Sequence, residues 1–327
     1  MSGQRRNDAN FELSDSLHTE RLNRIFAVVV TYQPDVVALR CLLSTLLHQT
    51  AGVIVVDNTF DHDRCVVDLL TDPSFSNVHL LRLGENRGIA TALNVGTRKA
   101  IELGASHVLL SDQDSLPSPN MVAILSGLYE ELADRGIKVG SVSPEYFDRT
   151  TGQTFPFQAM RPGKFFYSSV SGEQATPWVE ILTSITSGTL IPCSVLKDVG
   201  DMREDFFIDY VDTEWCHRAR YQGYSHFGTA CARLNHRLGD DDFRVWMLGW
   251  RPYTAYSPLR LYYRFRNFVL LLKLQHVDLR WKIRASWYWL GNAYAYLIFS
   301  PGRGENLRMI VKGLKDGLKG HSGQLRQ

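Results

Sequence analysis

The strongest constraint on the fold of this chain is a short apolar run that recurs four times in its first third. The runs lie at residues 25–30, 53–56, 78–81 and 108–110, and helical segments separate them. Each run is continuous rather than alternating, which is typical of strands covered by helices on both faces. The repeat predicts an α/β fold with a mostly parallel sheet, whose ligands bind beyond the carboxyl ends of the strands.

Around this repeat, the chain is predicted to have three parts. Residues 1–23 are polar and predict a flexible arm, residues 24–257 form the main α/β domain, and residues 258–327 form a helical C-terminal extension. Within the main domain, residues 146–170 are rich in Gly, Pro, Thr and aromatic side chains, so we expect loops and short antiparallel strands there. A helix is predicted to begin near Asp212 and to end at Gly223.

Composition and charge exclude several classes of protein. Hydrophobic residues make up 44% of the 327 residues and charged residues 21%, which is ordinary for a globular protein. A formal net charge of +2 is too small for a nucleic-acid-binding surface. The first 24 residues lack the apolar core of a signal peptide and the five cysteines are scattered, so we expect a cytoplasmic protein with reduced thiols.

Two carboxylates follow the fourth apolar run directly, in the triplet Asp112-Gln113-Asp114. At the ligand-binding edge of a parallel sheet they suit a divalent cation whose other ligands are phosphate oxygens and water. The alternative is a turn in which Asp114 or Ser115 caps a helix that begins near Pro117. Two aspartates at this spacing are a weak signal on their own, so the choice depends on the neighbouring motifs.

Polar residues also follow the second and third apolar runs. Asp57 is predicted either to accept hydrogen bonds from a base or ribose, or to form an Asx turn with the backbone ahead of it. In the segment 84–90 two glycines allow close approach, and Arg87 either reaches a diphosphate or lies on the surface beside a tight turn. Both residues are therefore candidates for nucleotide binding.

A third acidic group, at residues 206–215, sets three carboxylates among aromatic residues. Partial burial would raise the pKa of such a carboxyl toward that of a working general base. The same residues also suit the start of an amphipathic helix with an aspartate cap. Further along, His236 is a candidate ligand of a metal or a diphosphate, although a lone histidine is more often structural.

The order of these motifs resembles that of the family-2 glycosyltransferases of the GT-A fold, which is Rossmann-like, and most closely that of the bacterial rhamnosyltransferases. The resemblance covers about residues 25–275. The matching segments are Thr31-Tyr32, Val56-Asp57-Asn58, Asn86 to Ala90 with Asn94 and Gly96, Ser111 to Ser115, Phe207 to Glu214, His236-Arg237, and Tyr262-Tyr263 with Arg266-Asn267. The broader family usually has Glu-Asp where this chain has Val211-Asp212.

The resemblance implies an inverting sugar transfer that depends on Mg²⁺ or Mn²⁺. Asp114 and His236 would bind the metal, while Asp212, with Asp209 as second candidate, would be the catalytic base. The donor would be a nucleotide-sugar, with dTDP-L-rhamnose as the leading choice, and the acceptor a surface polysaccharide such as O-antigen, a lipid-linked glycan or a glycolipid. The donor-binding residues implied by the match are Thr31, Tyr32, Asp57, Asn86, Arg87, Asp112 and Gln113.

Two other classes of function fit parts of the pattern. A Mg²⁺-dependent aspartyl-phosphate phosphatase also carries paired aspartates after a buried strand, with Asp112 as the nucleophile here. In those enzymes the nucleophile usually follows the first strand of its domain, whereas three βα units come first in this chain. A non-catalytic nucleotide-sugar or glycan binding protein would share the fold, but three intact acidic groups argue against a decayed site.

The C-terminal extension interleaves aromatic residues with Lys and Arg at residues 281–296. Its longest uncharged stretch, residues 285–299, is shorter than the roughly 18 apolar residues of a membrane-spanning helix. Two interpretations stay open: an interfacial helix that makes peripheral contact with the cytosolic face of the inner membrane, or a helix packed on the catalytic domain.

Overall fold

Four parallel strands form the first half of the central sheet. A computed structural model describes residues 24–60, 62–148, 152–159, 168–170, 177–235, 241–246 and 250–325, so the predicted arm 1–23 and His236 lie outside the described residues. The four strands are β1 (Ile25–Thr31), β2 (Gly52–Asp57), β3 (Val78–Arg82) and β4 (His107–Asp112), in the order β3-β2-β1-β4. They contain the four apolar runs, as predicted.

The second half of the sheet is mixed. The short strand β11 (Leu190–Pro192) lies antiparallel between β4 and β6 (Val139–Asp148), and β12 (Ser225–Asn235) runs parallel to β6. The remaining strands of this sheet are short: β5 (Leu116–Pro117), β7 (Gln153–Phe155), β8 (Phe157–Ala159), β9 (Ser168–Val170) and β10 (Val179–Ile181). β13 (Asp241–Trp246) and β14 (Trp250–Ala255) form a separate hairpin. The parallel arrangement therefore holds throughout the βα repeat, whereas the strands after it form both parallel and antiparallel pairs.

Helices cover both faces of the sheet, because successive side chains of a strand point to opposite sides. Val28 and Val30 pack into one hydrophobic core, and Ala27 and Val29 into the other. The helices of this part are α1 (Val36–Leu47), α2 (Cys65–Leu69), α3 (Ile89–Glu102), α4 (Met121–Asp134), α5 (Cys193–Val199) and α6 (Val211–Tyr221). The helix predicted from Asp212 is confirmed as α6.

The helix expected near Pro117 begins later than predicted. Pro117 lies in β5, which pairs with the end of β12, and α4 begins at Met121 after Asn120, whose φ is +63°. A helix cap at Asp114 or Ser115 is therefore wrong, because the chain is still extended at that point.

Three helices form the C-terminal extension: α7 (Pro258–Lys273), α8 (Leu279–Ile298) and α9 (Arg303–Lys319). α9 packs closely on α7, since a β-carbon on Gly313 would lie only 2.5 Å from the carbonyl oxygen of Tyr262. The inner face of α8 buries Trp281 and Trp289 against the main domain. None of the helices in the described part of the chain combines the length and the apolar character needed to cross a bilayer.

The contact between α3 and the sheet leaves no space for a side chain at Gly96. A β-carbon there would lie 2.4 Å from Cγ1 of Val28 and 2.9 Å from Cγ2 of Val56. We expect Gly96→Ala to lower the free energy of unfolding by about 1–3 kcal/mol, measured by urea denaturation, because the two stiff valines must shift.

Gly127 of α4 is the matched control, because a β-carbon there would meet nothing within 4 Å. Gly127→Ala should raise the free energy of unfolding by up to about 1 kcal/mol through helix propensity. Equal stability of the two variants would contradict the close packing of α3 on β1 and β2.

Candidate active site

The ends of three neighbouring strands bring the first predicted site residues together. Thr31 lies opposite Asp57 in the β1–β2 register, and Val30 lies opposite Asp112 in the β1–β4 register. Thr31, Asp57 and Asp112 therefore share the carboxyl edge of the parallel half, where ligands bind in sheets of this kind.

Asp57 is almost fully buried and its carboxylate is already engaged. Its Oδ1 accepts hydrogen bonds from the Thr31 hydroxyl and from the backbone N–H of Thr59, both at 3.2 Å. Nε of Arg82 lies 3.6 Å from its Oδ2. The bond to Thr59 is the Asx turn that the sequence left as one of two alternatives. Asp57 thus shapes the loop after β2, and this role is independent of any part that it takes in nucleotide binding.

Gln113, the middle residue of the acidic triplet, is joined to the loop after β1. The backbone N–H of Tyr32 donates to its Oε1 at 2.7 Å, and its Nε2 donates to the carbonyl oxygen of Tyr32 at 3.1 Å. Both ends of the amide are occupied by one residue, so this geometry favours a positioning role for Gln113. The ring of Tyr32 remains 39% exposed at the mouth of the site.

The loop before α3 is held by two asparagines. Asn58 Nδ2 donates to Oδ1 of Asn86 at 3.2 Å, and the backbone N–H of Arg87 donates to Oδ1 of Asn58 at 2.8 Å. Gly88 has a φ of +85° and packs against Phe207. A β-carbon at this position would lie only 2.6 Å from the Phe207 carbonyl oxygen. The side chain of Arg87 is exposed. Asn86 therefore builds the loop that presents Arg87.

One loop connects the acidic triplet to the third acidic group. The backbone N–H of Asp112 donates to Oγ of Ser187 at 3.1 Å, and the backbone N–H of Thr186 donates to Oδ2 of Asp212 at 3.3 Å. Because Thr186 and Ser187 are adjacent, Asp112 and Asp212 are held near each other. Sequence reasoning missed both loop residues, since a Ser and Thr-rich stretch before a short strand carries no distinctive signal.

Asp212 lies partly buried in the first turn of α6. Burial raises the pKa of this carboxyl to about 6, and the negative charge of Asp112 adds to the shift. The backbone N–H of Thr213 donates to its Oδ1 at 2.6 Å, which limits the rise of the pKa. An aspartate with such a pKa is ionised at neutral pH and still basic enough to accept a proton.

Asp209 has different surroundings. Its Oδ1 lies 3.0 Å from Nη2 of Arg260 and 3.7 Å from Nη1 of Arg264, and its side chain is 11% exposed. Two guanidinium groups therefore hold this carboxylate in ion pairs. Of the two candidate bases, Asp212 is the one that the loop residues Thr186 and Ser187 connect to Asp112.

The segment that carries Asp209 adopts an uncommon backbone conformation, which α7 supports. Phe207, Asp209 and Tyr210 have φ values of +66°, +63° and +66°. Nδ2 of Asn267 donates to the carbonyl oxygens of Phe206, Ile208 and Asp209 at 2.8–3.0 Å. The motif Arg266-Asn267, for which the resemblance implied no role, therefore fixes the approach to Asp212.

The paired carboxylates suit a hard divalent ion. Asp112 is partly buried and Asp114 is exposed at the same edge of the sheet. Within the residues that the structure describes, no three His, Cys, Asp or Glu side chains are grouped as a metal site. Two carboxylates fit Mg²⁺ or Mn²⁺ when phosphate oxygens and water supply the other ligands, and the predicted ligand His236 lies outside the described residues.

Comparison with known proteins identifies the family. Residues 26–198 match Glycosyl transferase family 2, which is more than half of the chain. The chain belongs to glycosyltransferase family 2 and is a glycosyltransferase. The resemblance drawn from the motifs is confirmed.

Two relatives and one solved structure are similar to most of the chain. It is 32% identical to the dTDP-rhamnosyl transferase RfbF of Shigella flexneri over 301 residues, which are 92% of this chain and 97% of that protein. It is 27% identical to the galactofuranosyltransferase GlfT1 of Mycolicibacterium smegmatis over 84% of this chain and 91% of that one. The crystal structure of GalNAc-T7 with UDP, GalNAc and Mn²⁺ aligns with 90% of this chain and 56% of that chain, with a TM-score of 0.56 and 13% identity. This last likeness concerns the fold alone and confirms the GT-A architecture.

The support of the 206–209 segment by Asn267 can be tested by substitution. Asn267→Leu removes a donor from three carbonyl oxygens, of which that of Phe206 keeps its bond from Arg266, so we expect sugar transfer to fall about 10- to 100-fold because Asp212 is displaced. Transfer is measured at a temperature at which the variant is fully folded by circular dichroism.

Asn306→Leu is the matched control. Asn306 is equally buried and donates to Ser300 Oγ at 2.7 Å and to the Pro301 carbonyl oxygen at 3.1 Å, both distant in sequence from the acidic group. Both variants should lose stability through an unsatisfied buried group, by about 1–3 kcal/mol. Equal transfer rates in the two folded variants would contradict the role of Asn267.

Proposed function

We propose that this glycosyltransferase moves L-rhamnose from dTDP-L-rhamnose to a hydroxyl of a glycan or lipid-linked glycan, with inversion at the anomeric carbon and with the aid of Mg²⁺ or Mn²⁺. The observation that carries the proposal is the link through Thr186 and Ser187 between Asp112, at the carboxyl edge of the parallel strands, and Asp212, which is partly buried and has a raised pKa.

The choice of donor rests on similarity. The chain is alignable over almost the full length of a dTDP-rhamnosyl transferase at 32% identity. The second relative transfers galactofuranose according to its name, and its identity to this chain is lower, at 27%. The dTDP-L-rhamnose donor therefore has the better support of the two.

The donor half of the proposed site comprises residues at the ends of β1 to β4. Asp114 would hold the divalent ion, and Asp112 would contact the ribose or a metal-bound water. When bound, the ion neutralises charge that builds on the diphosphate as the sugar–phosphate bond breaks. Arg87 is exposed and suited to approach a diphosphate oxygen. Gln113 holds Tyr32 in place through its two hydrogen bonds.

The acceptor half is centred on Asp212. Its carboxylate would take the proton of the acceptor hydroxyl as that oxygen attacks the anomeric carbon from the face opposite the diphosphate. The new carbon–oxygen bond forms as the bond to the diphosphate breaks, so the configuration inverts and no covalent enzyme intermediate forms. Asp209 would stay paired with Arg260 and Arg264 and would position the segment before α6.

The phosphatase alternative has less support. It requires Asp112 to act as a nucleophile, but the match to glycosyltransferase family 2 covers the whole βα repeat and the triplet. A trapped acyl-phosphate on Asp112 is the observation that would revive it.

Loss of the base should separate transfer from binding. Asp212→Asn keeps the shape of the side chain but cannot take a proton, so we expect transfer of labelled rhamnose from dTDP-L-rhamnose to a bacterial lipid-linked glycan extract to fall about 10²- to 10⁴-fold. Binding of dTDP-L-rhamnose should stay nearly unchanged. The control is Asp201→Asn, which alters an exposed carboxylate paired with Arg98.

The pH profile provides a second measurement on the same residue. Because the base must be ionised and its pKa is about 6, kcat/KM should rise tenfold per pH unit below pH 6 and level off above it. Near wild-type turnover of Asp212→Asn would exclude Asp212 as the base, and an acidic limb close to the usual aspartate value of 3.8 would contradict the raised pKa.

Donor and metal use can be tested by thermal stabilisation. We expect dTDP-L-rhamnose with Mn²⁺ to raise Tm more than other nucleotide-sugars do, and a chelator to abolish the shift, because the carboxylate of Asp114 would hold an ion whose charge offsets that of the diphosphate. Asp114→Ala should lose the metal-dependent shift. Glu85→Ala is the control, since Glu85 is an exposed carboxylate near the same edge. Stabilisation by dTDP-L-rhamnose that is equal with and without metal would contradict the proposed role of Asp114.

A further inference from the structure

Helix α8 is apolar on both of its faces. Its inner face buries Trp281, Trp289 and Tyr296. Every exposed residue of α8 is aliphatic, aromatic or glycine, whereas Arg280, Lys282 and Arg284 are only partly exposed. A surface helix usually places charged side chains toward solvent, so the outer face of α8 is shaped to meet something other than water.

Six of the seven exposed aliphatic and aromatic side chains of α8 form one line, which we call the outer stripe. They follow one another at intervals of three or four residues, which places them on one side of a helix about 30 Å long. Trp287 is 71% exposed and Leu290 is 63% exposed. The stripe consists of Leu279, Ile283, Trp287, Leu290, Tyr294 and Ile298.

The cations at the start of α8 do not interrupt the outer stripe, because they are engaged elsewhere. Nζ of Lys282 donates to the carbonyl oxygen of Leu274 at 2.7 Å, and Arg280 is paired with Asp278 at 3.0 Å. The ammonium group of Lys282 therefore points toward the segment before α8, and the guanidinium group of Arg280 points toward the residue that precedes the helix.

The next helix, α9, adds positive charge. Arg303, Arg308, Lys315 and Lys319 are exposed, while Glu305 is the one exposed carboxylate of this helix. The Asp316 carboxylate accepts a hydrogen bond from the Tyr262 hydroxyl at 2.9 Å. A shallow groove of about 510 Å³ runs along this surface, where Leu307 and Val311 alternate with the cations. The exposed side of α9 is therefore basic and amphipathic.

We propose that the outer stripe of α8 and the basic side of α9 form a docking surface for an anionic lipid bilayer. Aliphatic and aromatic side chains enter the boundary between headgroups and acyl chains, and nearby Arg and Lys attract anionic headgroups. If a second copy of this chain packed on the outer stripe, its own exposed Arg and Lys side chains would lie beside those of α9 and repel them. Anionic lipids instead supply the opposite charge.

The helix that carries the outer stripe packs through its inner face against the segment that precedes Asp212. Nε1 of Trp289, on the inner face of α8, donates to the hydroxyl of Tyr210 at 2.5 Å, and Tyr210 precedes Asp212 by two residues. The ring of Trp281 also packs edge-on against Tyr210. The bilayer would therefore lie next to the segment that approaches the acceptor. This inference does not depend on the identity of the donor sugar.

The test is sedimentation of the full-length protein with vesicles of phosphatidylcholine alone or mixed with phosphatidylglycerol, without any sugar donor. We expect binding to the anionic vesicles that weakens as salt is added. Trp287→Ser should lower partitioning at least tenfold, because a large apolar contact is lost. Lys315→Glu with Lys319→Glu should lower it by more than about fivefold per cation.

Matched controls alter exposed residues away from the docking surface. Tyr221→Ser removes a 74% exposed aromatic ring at the end of α6, and Lys138→Glu with Lys197→Glu reverses two exposed cations of the main domain. These variants should bind like the wild type. Circular dichroism confirms folding of all variants.

Two results would overturn the proposal. In the first, the docking variants and the controls partition equally onto anionic vesicles, or none of the proteins binds these vesicles. The other is a wild-type dimer, measured by light scattering, that Trp287→Ser converts to monomer, since a second copy would then cover the stripe. The rise in Tm of the protein with dTDP-L-rhamnose is measured separately. Failure to bind vesicles can therefore be distinguished from failure of the proposed function.

Discussion

The hydrogen bonds from the Asn267 amide to three carbonyl oxygens of the segment 206–209 are the interaction on which the rest of the site depends. Residues with a β-carbon rarely adopt positive φ, so Phe207, Asp209 and Tyr210 keep this conformation only because their surroundings fix it. Asn267 binds the carbonyl oxygens, and Arg266 donates to the Phe206 carbonyl oxygen at 2.9 Å. The first turn of α6 follows directly, so the position of Asp212 is set from α7.

The second constraint is electrostatic. The acidic groups of the proposed donor and acceptor halves are held near each other by adjacent loop residues, and burial together with the negative charge of Asp112 raises the pKa of Asp212. The carboxylate of Asp114 is exposed at the edge of the sheet, whereas that of Asp212 is partly buried. One fold thus gives two aspartates different chemistry through differences in burial.

Much of the fold was predictable from the sequence, because continuous apolar runs separated by helices permit few arrangements. The position of Thr31, Asp57 and Asp112 at one edge of the sheet could be predicted, because the strands that they end are parallel neighbours. The mixed second half was not predictable, because most of its strands are short and many of their pairing partners are distant in sequence. The late start of α4 was missed because β5 pairs with β12, more than 100 residues later.

The candidate site was predictable in its acidic residues but not in the contacts that distinguish them. Asp209 and Asp212 have similar sequence surroundings, and only the folded chain brings Arg260 and Arg264 to the first of them. Thr186 and Ser187 resemble any polar loop until their bonds to the two acidic groups are seen. Local sequence thus identifies the chemical groups, while long-range contacts assign them separate environments.

The contact between Gly88 and Phe207 limits which segments of such an enzyme can be exchanged by recombination. The loop before α3 belongs to the donor half, yet the N–H of Ile89 donates to the carbonyl oxygen of Phe207 at 2.8 Å. A recombination that exchanged only the C-terminal helices would separate Asn267 and Trp289 from the backbone they support. The segment 206–210 and the helices α7 and α8 therefore have to change together, and a new version of them must also match the loop before α3.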